Sequence, residues 1–123
     1  MERRAPLLLG PVATRNESFE RIWRCVRAIP RGEVASYGEV ARRAGFPRRA
    51  RLAGQALSQG PRDLPWHRVV GAGNRIVFRR GGKLFRAQKK RLEAEGVKVA
   101  PNGRVTPRTA ARTLDELIWA PKA

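Results

Sequence analysis

The stretch "SYGEVARRAGFPRRARLAGQALSQG", residues 36 to 60, decides the fold, because it predicts two short helices joined by a tight turn. Ser36 and Glu39 have the S-x-x-E spacing of a capping box, which marks the start of a helix. Gly45 is placed as the stop of that helix, and Pro47 lies near the first turn of the next one. Two such helices form a helix-turn-helix, whose second helix is the one presented to DNA.

The second predicted helix has two chemically different faces. One face carries small or apolar side chains, namely Ala50, Ala53, Gly54 and Leu57. The other face carries three arginines, namely Arg48, Arg49 and Arg51. A small face suits packing or close approach, and an arginine face suits contact with phosphates.

Two further helices flank this unit. In "NESFERIWRCVRAIPRG" the apolar residues recur at helical spacing: Phe19, Ile22, Trp23, Val26 and Ile29. Pro30 and Gly32 end that helix. In "GGKLFRAQKKRLEAEG" one side of the predicted helix carries Phe85, Gln88, Leu92 and Glu95, and Gly96 is its stop.

A small β wing is predicted between these helices. "WHRVVGAGNRIVF" contains two short extended pieces, with residues 71 to 74 as the turn. The predicted fold is therefore mainly α with a small β wing, similar to a winged helix-turn-helix.

The length of 123 residues suits one domain with one modest core. We predict a loose N-terminal arm over residues 1–14, a DNA-binding domain over 15–100 and a tail over 101–123 that packs on the domain. The apolar residues of the tail are Leu114, Leu117, Ile118 and Trp119. No apolar run approaches the ~20 residues of a membrane span, and the N-terminal leucines are too few for a secretory signal. We therefore expect a cytoplasmic protein, associated with the nucleoid and without a membrane partner.

The charge is strongly positive, with 27 Lys and Arg residues against 10 Asp and Glu residues, a formal net charge of +17. Such a chain repels itself unless a polyanion is its usual partner, and nucleic acid is the leading candidate. A membrane surface is disfavoured, because the basic residues form no single amphipathic tail. Coding bias toward arginine is an alternative source of the basic residues, but it leaves the shortage of acidic residues unexplained.

The segment "LPWHRVVG", residues 64 to 71, contains the only histidine, His67, between Trp66 and Arg68. The single cysteine, Cys25, excludes an internal disulfide. One cysteine and one histidine also argue against a structural zinc site, so we expect no metal and no cofactor. Taken alone, the histidine is more often a packed residue than a functional one, and an indole ring beside it is not a nucleophile.

The order of four segments carries a family resemblance: "IPRGEVASYGEVARRAG", "ARLAGQAL", "PWHRVVGAGNRI" and "RLEAEGV". Over roughly residues 18 to 97 the chain resembles the DNA-binding, active-site domain of the O6-alkylguanine-DNA alkyltransferases. In that family a cysteine stands between the proline and the histidine of Pro-x-His-Arg-Val, and its thiolate, activated through histidine, water and a glutamate, takes the alkyl group irreversibly. Here the position holds Trp66, so the chain is most similar to the alkyltransferase-like proteins, which lack the acceptor.

The resemblance implies a set of site residues. Tyr37 stands where the family has the tyrosine that crowds the target phosphate, and Arg51 stands where it has the arginine finger that fills the vacated stack. The predicted lesion pocket consists of Pro65, Trp66, His67, Arg68 and Glu95, with Glu95 as the partner of the histidine. The predicted base-flipping and DNA-binding residues are Ser36, Tyr37, Arg48, Arg49, Arg51 and Gly54. We expect no catalytic residue.

The function that the resemblance implies is a non-enzymatic sensor. It binds O6-alkylguanine in duplex DNA from the minor-groove side, flips the base and flags it for nucleotide excision repair, whose damage-recognition proteins are the expected partners. We predict that it acts as a monomer. Two alternatives stay open: an alkyltransferase that uses Cys25 or a water, and a helix-turn-helix regulator that reads sequence in the major groove.

Two features depart from the family pattern. Gly60 stands before Pro61 where the family often has asparagine, and the loop that leads to Pro65 is shorter than in true transferases.

Overall fold

The structure is a computed structural model that describes residues 14–108. This part of the chain forms the helices α1 (Arg15–Arg27), α2 (Tyr37–Arg43), α3 (Ala50–Ser58) and α4 (Lys83–Ala94), with a 3-10 turn at Trp66–Arg68. The strands are β1 (Ala35–Ser36), β2 (Val69–Val70), β3 (Lys98–Val99) and β4 (Val105–Thr106). The architecture is mainly helical with small sheets, as predicted.

Helix α1 begins with a reciprocal capping box that the sequence reading missed. The Thr14 hydroxyl accepts from the Glu17 amide at 3.0 Å, and the Glu17 carboxylate accepts from the Thr14 amide at 2.8 Å. Thr14 falls within the predicted N-terminal arm, and the structure places it at the N-cap of α1. The rest of the arm and the apolar tail residues Leu114, Leu117, Ile118 and Trp119 lie outside the described residues and stay predictions.

Helix α2 begins and ends as the sequence predicts. The Ser36 hydroxyl caps α2 by accepting from the Glu39 amide at 3.0 Å, while the Glu39 carboxylate pairs with Arg43 at 2.8 Å. At the other end, Gly45 adopts φ +98°, and its amide donates to the carbonyl of Arg42. The Phe46 amide donates to the carbonyl of Ala41, which completes a Schellman stop.

The start of α3 differs from the prediction. The Arg49 amide donates to the Phe46 carbonyl, and Arg48 has φ +65°, as the third position of a type II turn requires. Pro47 therefore lies in this turn and not in the first turn of α3, which begins at Ala50. Arg48 and Arg49 precede the helix, so they do not share its face with Arg51. The reason is that proline prefers the second position of a turn, and the following residue then leaves the helical region.

The wing also differs from the prediction. Strand β2 pairs in parallel with β1 and not with the segment that follows it. The predicted turn at residues 71 to 74 is present, but it closes on a single antiparallel bridge between Gly71 and Arg75. The antiparallel pairing of β3 with β4 supplies the other hairpin. Val69 and Val70 are both fully buried, and parallel pairing in the interior suits a strand that is buried on both faces.

Strand β2 joins two hydrophobic clusters. Val69 packs in a cluster with α1, α2 and α3, while Val70 packs in a second cluster with α4 and the hairpin. Successive side chains of a strand point to opposite sides, so two adjacent valines serve both clusters. The Gln88 side-chain amide of α4 donates to the carbonyls of His67 and Val69 at 3.0 and 2.9 Å, which holds α4 against this seam.

A buried carboxylate braces the same region. Glu95, the residue that ends α4, accepts from Arg68 Nε at 3.0 Å, from Arg68 Nη2 at 2.8 Å and from the Gly32 amide at 3.2 Å. Arg68 Nη1 also donates to the carbonyl of Ile29 at 2.9 Å. Burial raises the pKa of Glu95, but the hydrogen bonds from Arg68, His67 and Gly32 outweigh it and lower the pKa to about 2. The brace therefore ties the end of α1, the 3-10 turn and the end of α4 together.

Glu95→Gln tests this brace by its pH dependence. A carboxyl whose pKa falls from 4.5 to about 2 on folding stabilises the native state fully above pH 4.5 and loses that contribution toward pH 2, about 3 kcal/mol in all. Urea unfolding between pH 7 and pH 2 should show this loss in the parent and not in Glu95→Gln. The variant should also be less stable at pH 7, because Arg68 loses its buried partner.

Glu20→Gln, on the exposed side of α1, is the matched control and should keep the parent's acid profile. An unchanged acid profile in Glu95→Gln would contradict the brace.

Candidate nucleic-acid interface

A groove of about 900 Å³ lies between α3 on one side and the 3-10 turn with the following loop on the other. Its lining residues are Tyr37, Ala50, Arg51, Gly54, Gln55, Leu57, Ser58, Trp66, Val77, Phe78 and Leu84. The lining is mostly apolar, and Arg51 is its one charged residue. The groove thus joins four separate segments of the chain.

Helix α3 supplies two of the predicted site residues. Arg51 is exposed in the first turn of the helix and lines the groove. Gly54 lies in the middle of α3, where glycine costs about 1 kcal/mol relative to alanine. A Cβ built on Gly54 would meet nothing within 4 Å, so packing within the described residues does not require glycine there. The space beside Gly54 opens to the groove.

The start of α2 supplies Tyr37. Ser36 caps the helix and so fixes the direction of the residue that follows it. The Tyr37 ring is half-buried and lines the groove. Burial raises the pKa of the Tyr37 phenol, so the hydroxyl stays protonated at physiological pH and remains a hydrogen-bond donor.

Trp66 forms part of the opposite wall. Its ring meets Phe78 edge-on, with centroids 6.1 Å apart and an interplanar angle of 83°. The guanidinium of Arg91 on α4 lies 5.5 Å from the centroid of the indole, a cation–π distance. Pro65 precedes the 3-10 turn and is half-buried. The indole is therefore held from two sides while it still borders the groove.

His67 lies behind this wall and does not line the groove. Its Nε2 is 2.8 Å from Glu95 Oε2, so the structure brings together the two residues that the family resemblance pairs. Burial lowers the pKa of His67 and outweighs Glu95, which raises it; the charges of Arg68 and Arg91 lower it too. The ring is therefore neutral, and Nε2 donates to the carboxylate. Among residues 14–108, the buried Nδ1 has no hydrogen-bond partner.

The other predicted residues fall outside the groove. Arg48 and Arg49 are exposed in the turn before α3 and do not belong to the lining. Arg68 and Glu95 form the buried brace. The predicted site residues therefore include residues that line the groove, arginines in the turn before α3, and residues of the brace, which lie outside the groove.

Cys25 does not belong to the groove lining. It is half-buried on α1 and packs against the cluster of α1, α2 and α3. Burial raises the pKa of its thiol and outweighs the lowering by Arg43 and Arg24. The thiol is therefore protonated at physiological pH and is a poor nucleophile.

Gly60 has a steric role in the loop that leads to Pro65. A Cβ on Gly60 would lie 2.8 Å from Leu64 Cδ2 and 3.1 Å from Trp23 Nε1. Trp23 is not free to move away, because Nε1 donates to the carbonyl of Ala56 at 2.7 Å. The asparagine that the family often has here would not fit unless the loop moved.

Sequence reasoning missed the residues that hold Trp66 and complete the groove: Val77, Phe78, Leu84 and Arg91. Val77 and Leu84 are the exposed large hydrophobic residues of the described chain, at 57% and 52% exposure. The available signal was the apolar pair Val77–Phe78, which lies between arginines at the end of the segment that was predicted to form the wing. Apolar residues in such a loop are often part of a binding surface.

Within residues 14–108, no group of three or more His, Cys, Asp or Glu side chains is placed to hold a metal ion. No helix of this range has the length and apolar character to cross a membrane.

The chain is similar to known proteins in sequence. A family model described as the DNA-binding domain of 6-O-methylguanine DNA methyltransferase matches residues 17–97. The DNA base-flipping protein of Escherichia coli (strain K12) is 43% identical over 94 residues, which are 74% of this chain and 71% of the relative. Alkyltransferase-like protein 1 of Schizosaccharomyces pombe is 38% identical over 86 residues, which are 68% of this chain and 80% of the relative.

The fold is similar to solved structures. The crystal structure of S. pombe Atl1 in complex with damaged DNA containing O6-carboxymethylguanine superposes with a TM-score of 0.64 and 34% identity, over 86% of this chain and 97% of that chain. This likeness confirms the predicted fold class. Together with the family match over residues 17–97, it shows that the chain belongs to the 6-O-methylguanine DNA methyltransferase family and is similar to its alkyltransferase-like and base-flipping members.

Proposed function

We propose that this protein is a non-enzymatic sensor that binds duplex DNA containing O6-alkylguanine from the minor-groove side, flips the modified base and holds it in the groove. One observation carries the proposal: Tyr37 of α2, Arg51 and Gly54 of α3, and Trp66 of the 3-10 turn line a single apolar groove of about 900 Å³. That volume is within the range of small-molecule sites.

The chemistry of the groove favours an alkylated base. An O6-alkyl group spoils pairing with cytosine, and a damaged pair costs less to open than an intact one. A buried methyl group adds about 0.8 kcal/mol. Stacking of the flipped base on the indole of Trp66 adds about 1–3 kcal/mol, and Phe78 and Arg91 hold that ring in place.

The groove residues have complementary roles in opening the duplex. Tyr37, fixed by the Ser36 cap, crowds the backbone beside the target nucleotide. Arg51 enters the duplex and replaces the stacking that the flipped base gives up, as apolar wedges do in other kinking proteins. The open space at Gly54 allows the DNA to approach α3 closely. Arg48 and Arg49 contact phosphates from the turn.

The protein holds the lesion without transferring the alkyl group. Trp66 stands at the acceptor position, and an indole is not a nucleophile under these conditions. The neutral His67 is committed to Glu95 through Nε2, and no thiol adjoins its Nδ1. Cys25 lies outside the groove with a raised pKa. We therefore assign no catalytic residue, no metal and no cofactor.

A protein that binds the lesion without removing the alkyl group depends on other proteins for the repair. We propose that the bound complex is recognised by damage-recognition proteins of nucleotide excision repair, and that a monomer acts on the nucleoid in the cytoplasm. The names of the base-flipping and alkyltransferase-like relatives support the binding step.

A paired titration tests the proposed function. Two labelled duplexes, identical except for one O6-methylguanine, are followed by fluorescence anisotropy at one fixed salt concentration. A buried methyl alone gives about a fourfold preference, and the easier opening of the damaged pair raises it, so we expect at least about tenfold tighter binding to the modified duplex. Mass spectrometry of the mixture should show unmodified protein.

Equal affinity for both duplexes would contradict the sensor. A sequence preference without a lesion preference would instead indicate a helix-turn-helix regulator, and an alkylated protein would indicate an enzyme.

Arg51→Ala should remove the finger and leave the basic surface. We expect binding to the modified duplex to weaken about tenfold, while binding to the unmodified duplex keeps most of its salt-dependent affinity. Arg24→Ala, an exposed arginine of α1 outside the groove, removes the same charge and should spare the lesion preference. An equal loss on both duplexes for Arg51→Ala would rule out the finger role.

Trp66→Ala should weaken lesion binding by about 1–3 kcal/mol, which is about 5- to 150-fold, because the flipped base loses its stacking partner. Trp66→Phe keeps an aromatic face and should retain most of the affinity. Anisotropy titrations with the modified duplex measure both variants, and far-UV circular dichroism verifies that both are folded. Wild-type affinity in Trp66→Ala would exclude stacking.

A further inference from the structure

The wing consists of the turn at residues 71 to 76 and the β3–β4 hairpin. Its backbone pairing places two positively charged residues opposite each other. Arg75 and Arg104 face each other across an antiparallel bridge, and Arg75 pairs with Gly71 on its other side. Like charges directly opposite each other in a sheet are destabilising. The repulsion between the two arginines therefore does not stabilise the folded protein.

Both arginines point away from the core. Their chain neighbours Ile76 and Val105 are buried at 7% and 2% exposure, and side chains alternate along a strand. Lys98, directly opposite Thr106 in the hairpin, adds a third exposed cation to this side. We call Arg75, Lys98 and Arg104 the wing face.

Among residues 14–108, the wing face has no acidic partner. Residues 71 to 76 and 97 to 106 contain no Asp or Glu. Within residues 14–108, no carboxylate lies within ion-pairing distance of any of the three cations. The repulsion is therefore left for solvent or for a bound anion to screen.

Backbone hydrogen bonds fix the positions of the two arginines on neighbouring strands. The Ile76 amide donates to the Gly103 carbonyl at 2.9 Å, and the Val105 amide donates to the Asn74 carbonyl at 2.7 Å. A Cβ on Gly103 would lie 3.4 Å from the ring of Phe85, so the hairpin packs closely on α4. Exposed cations that extend from one side of a fixed hairpin suit contact with the repeated phosphates of a nucleic-acid backbone.

The wing is continuous with the groove. Arg75 is two residues from Val77, which lines the wall that faces α3. The wing is therefore next in the chain to the wall of the groove that faces α3.

We propose that the wing face binds backbone phosphates of the duplex that flanks the lesion, and that these phosphates relieve the repulsion between Arg75 and Arg104. This inference rests on the proposed function, because it needs a duplex seated on α3. It adds a second contact surface beyond the helix-turn-helix.

The test measures how binding depends on salt. The wing variant Arg75→Ser/Arg104→Ser and the control Arg24→Ser/Lys90→Ser, on α1 and α4 away from the wing, each remove two exposed charges. Affinity for the O6-methylguanine duplex is titrated from 50 to 200 mM salt. Each lost phosphate contact reduces the magnitude of the slope of log K against log salt by about 0.9. The slope of the wing variant should therefore be shallower by about 1.8, and the slope of the control should change much less.

Three further checks test whether the wing variant loses phosphate contacts and nothing else. The ratio of affinities for modified and unmodified duplex should stay at its parent value in the wing variant, because the groove is untouched. Its thermal unfolding temperature should equal or exceed that of the parent, because the like-charge pair is gone. Arg75→Lys/Arg104→Lys should keep the parent slope.

Duplex truncation locates the contact. With the DNA shortened on one side of the lesion, the difference between parent and wing variant should vanish, and with the DNA shortened on the other side it should persist. An unchanged slope in the wing variant, or an equal decrease in the control, would overturn the inference. Loss of lesion preference in the parent protein would instead overturn the proposed function, so the two failures are distinguishable.

Discussion

The buried ion pair between Arg68 and Glu95 is the interaction on which the rest of the site depends. It joins the end of α1, the 3-10 turn and the end of α4, three elements that are distant in sequence. Because His67 and Arg68 are both directed toward Glu95, the preceding residue, Trp66, borders the groove. His67 and Glu95, which the family resemblance pairs, thus lie behind the wall of the groove that Trp66 forms.

The chain has a net charge of +17, and only a few of its basic side chains pair with acidic side chains of the described residues. The brace and the Glu39–Arg43 pair use acidic residues within the protein, but the wing face and the arginines before α3 have no such partner among the described residues. Self-repulsion of this kind disfavours the compact state and favours association with a polyanion. In the proposed function the apolar groove adds selectivity to that general attraction, because stacking and burial of an alkyl group depend on the base, whereas contacts with phosphates do not.

Local signals in the sequence predicted most of the helical framework. The Ser36 cap, the Gly45 stop, the apolar side of α4 and the positive φ of Gly96 are determined by residues within one turn of each other. Tyr37, Arg51 and Trp66 were assigned to the site through the family resemblance, which the order of the motifs in the chain carries. The contact between His67 and Glu95 was predicted only through family resemblance, since 28 residues separate them.

The sequence by itself therefore determined the helices, their caps, the basic character and the identity of the residue at the acceptor position. The tertiary structure alone decided that β2 pairs with β1, that Phe78 and Arg91 hold Trp66, and that Arg75 faces Arg104. It also raised the pKa of the Cys25 thiol, because desolvation depends on the packing around a group and not on its neighbours in the chain. Caps and stops follow from hydrogen bonds over a few residues, whereas pairing partners and burial depend on contacts between distant segments.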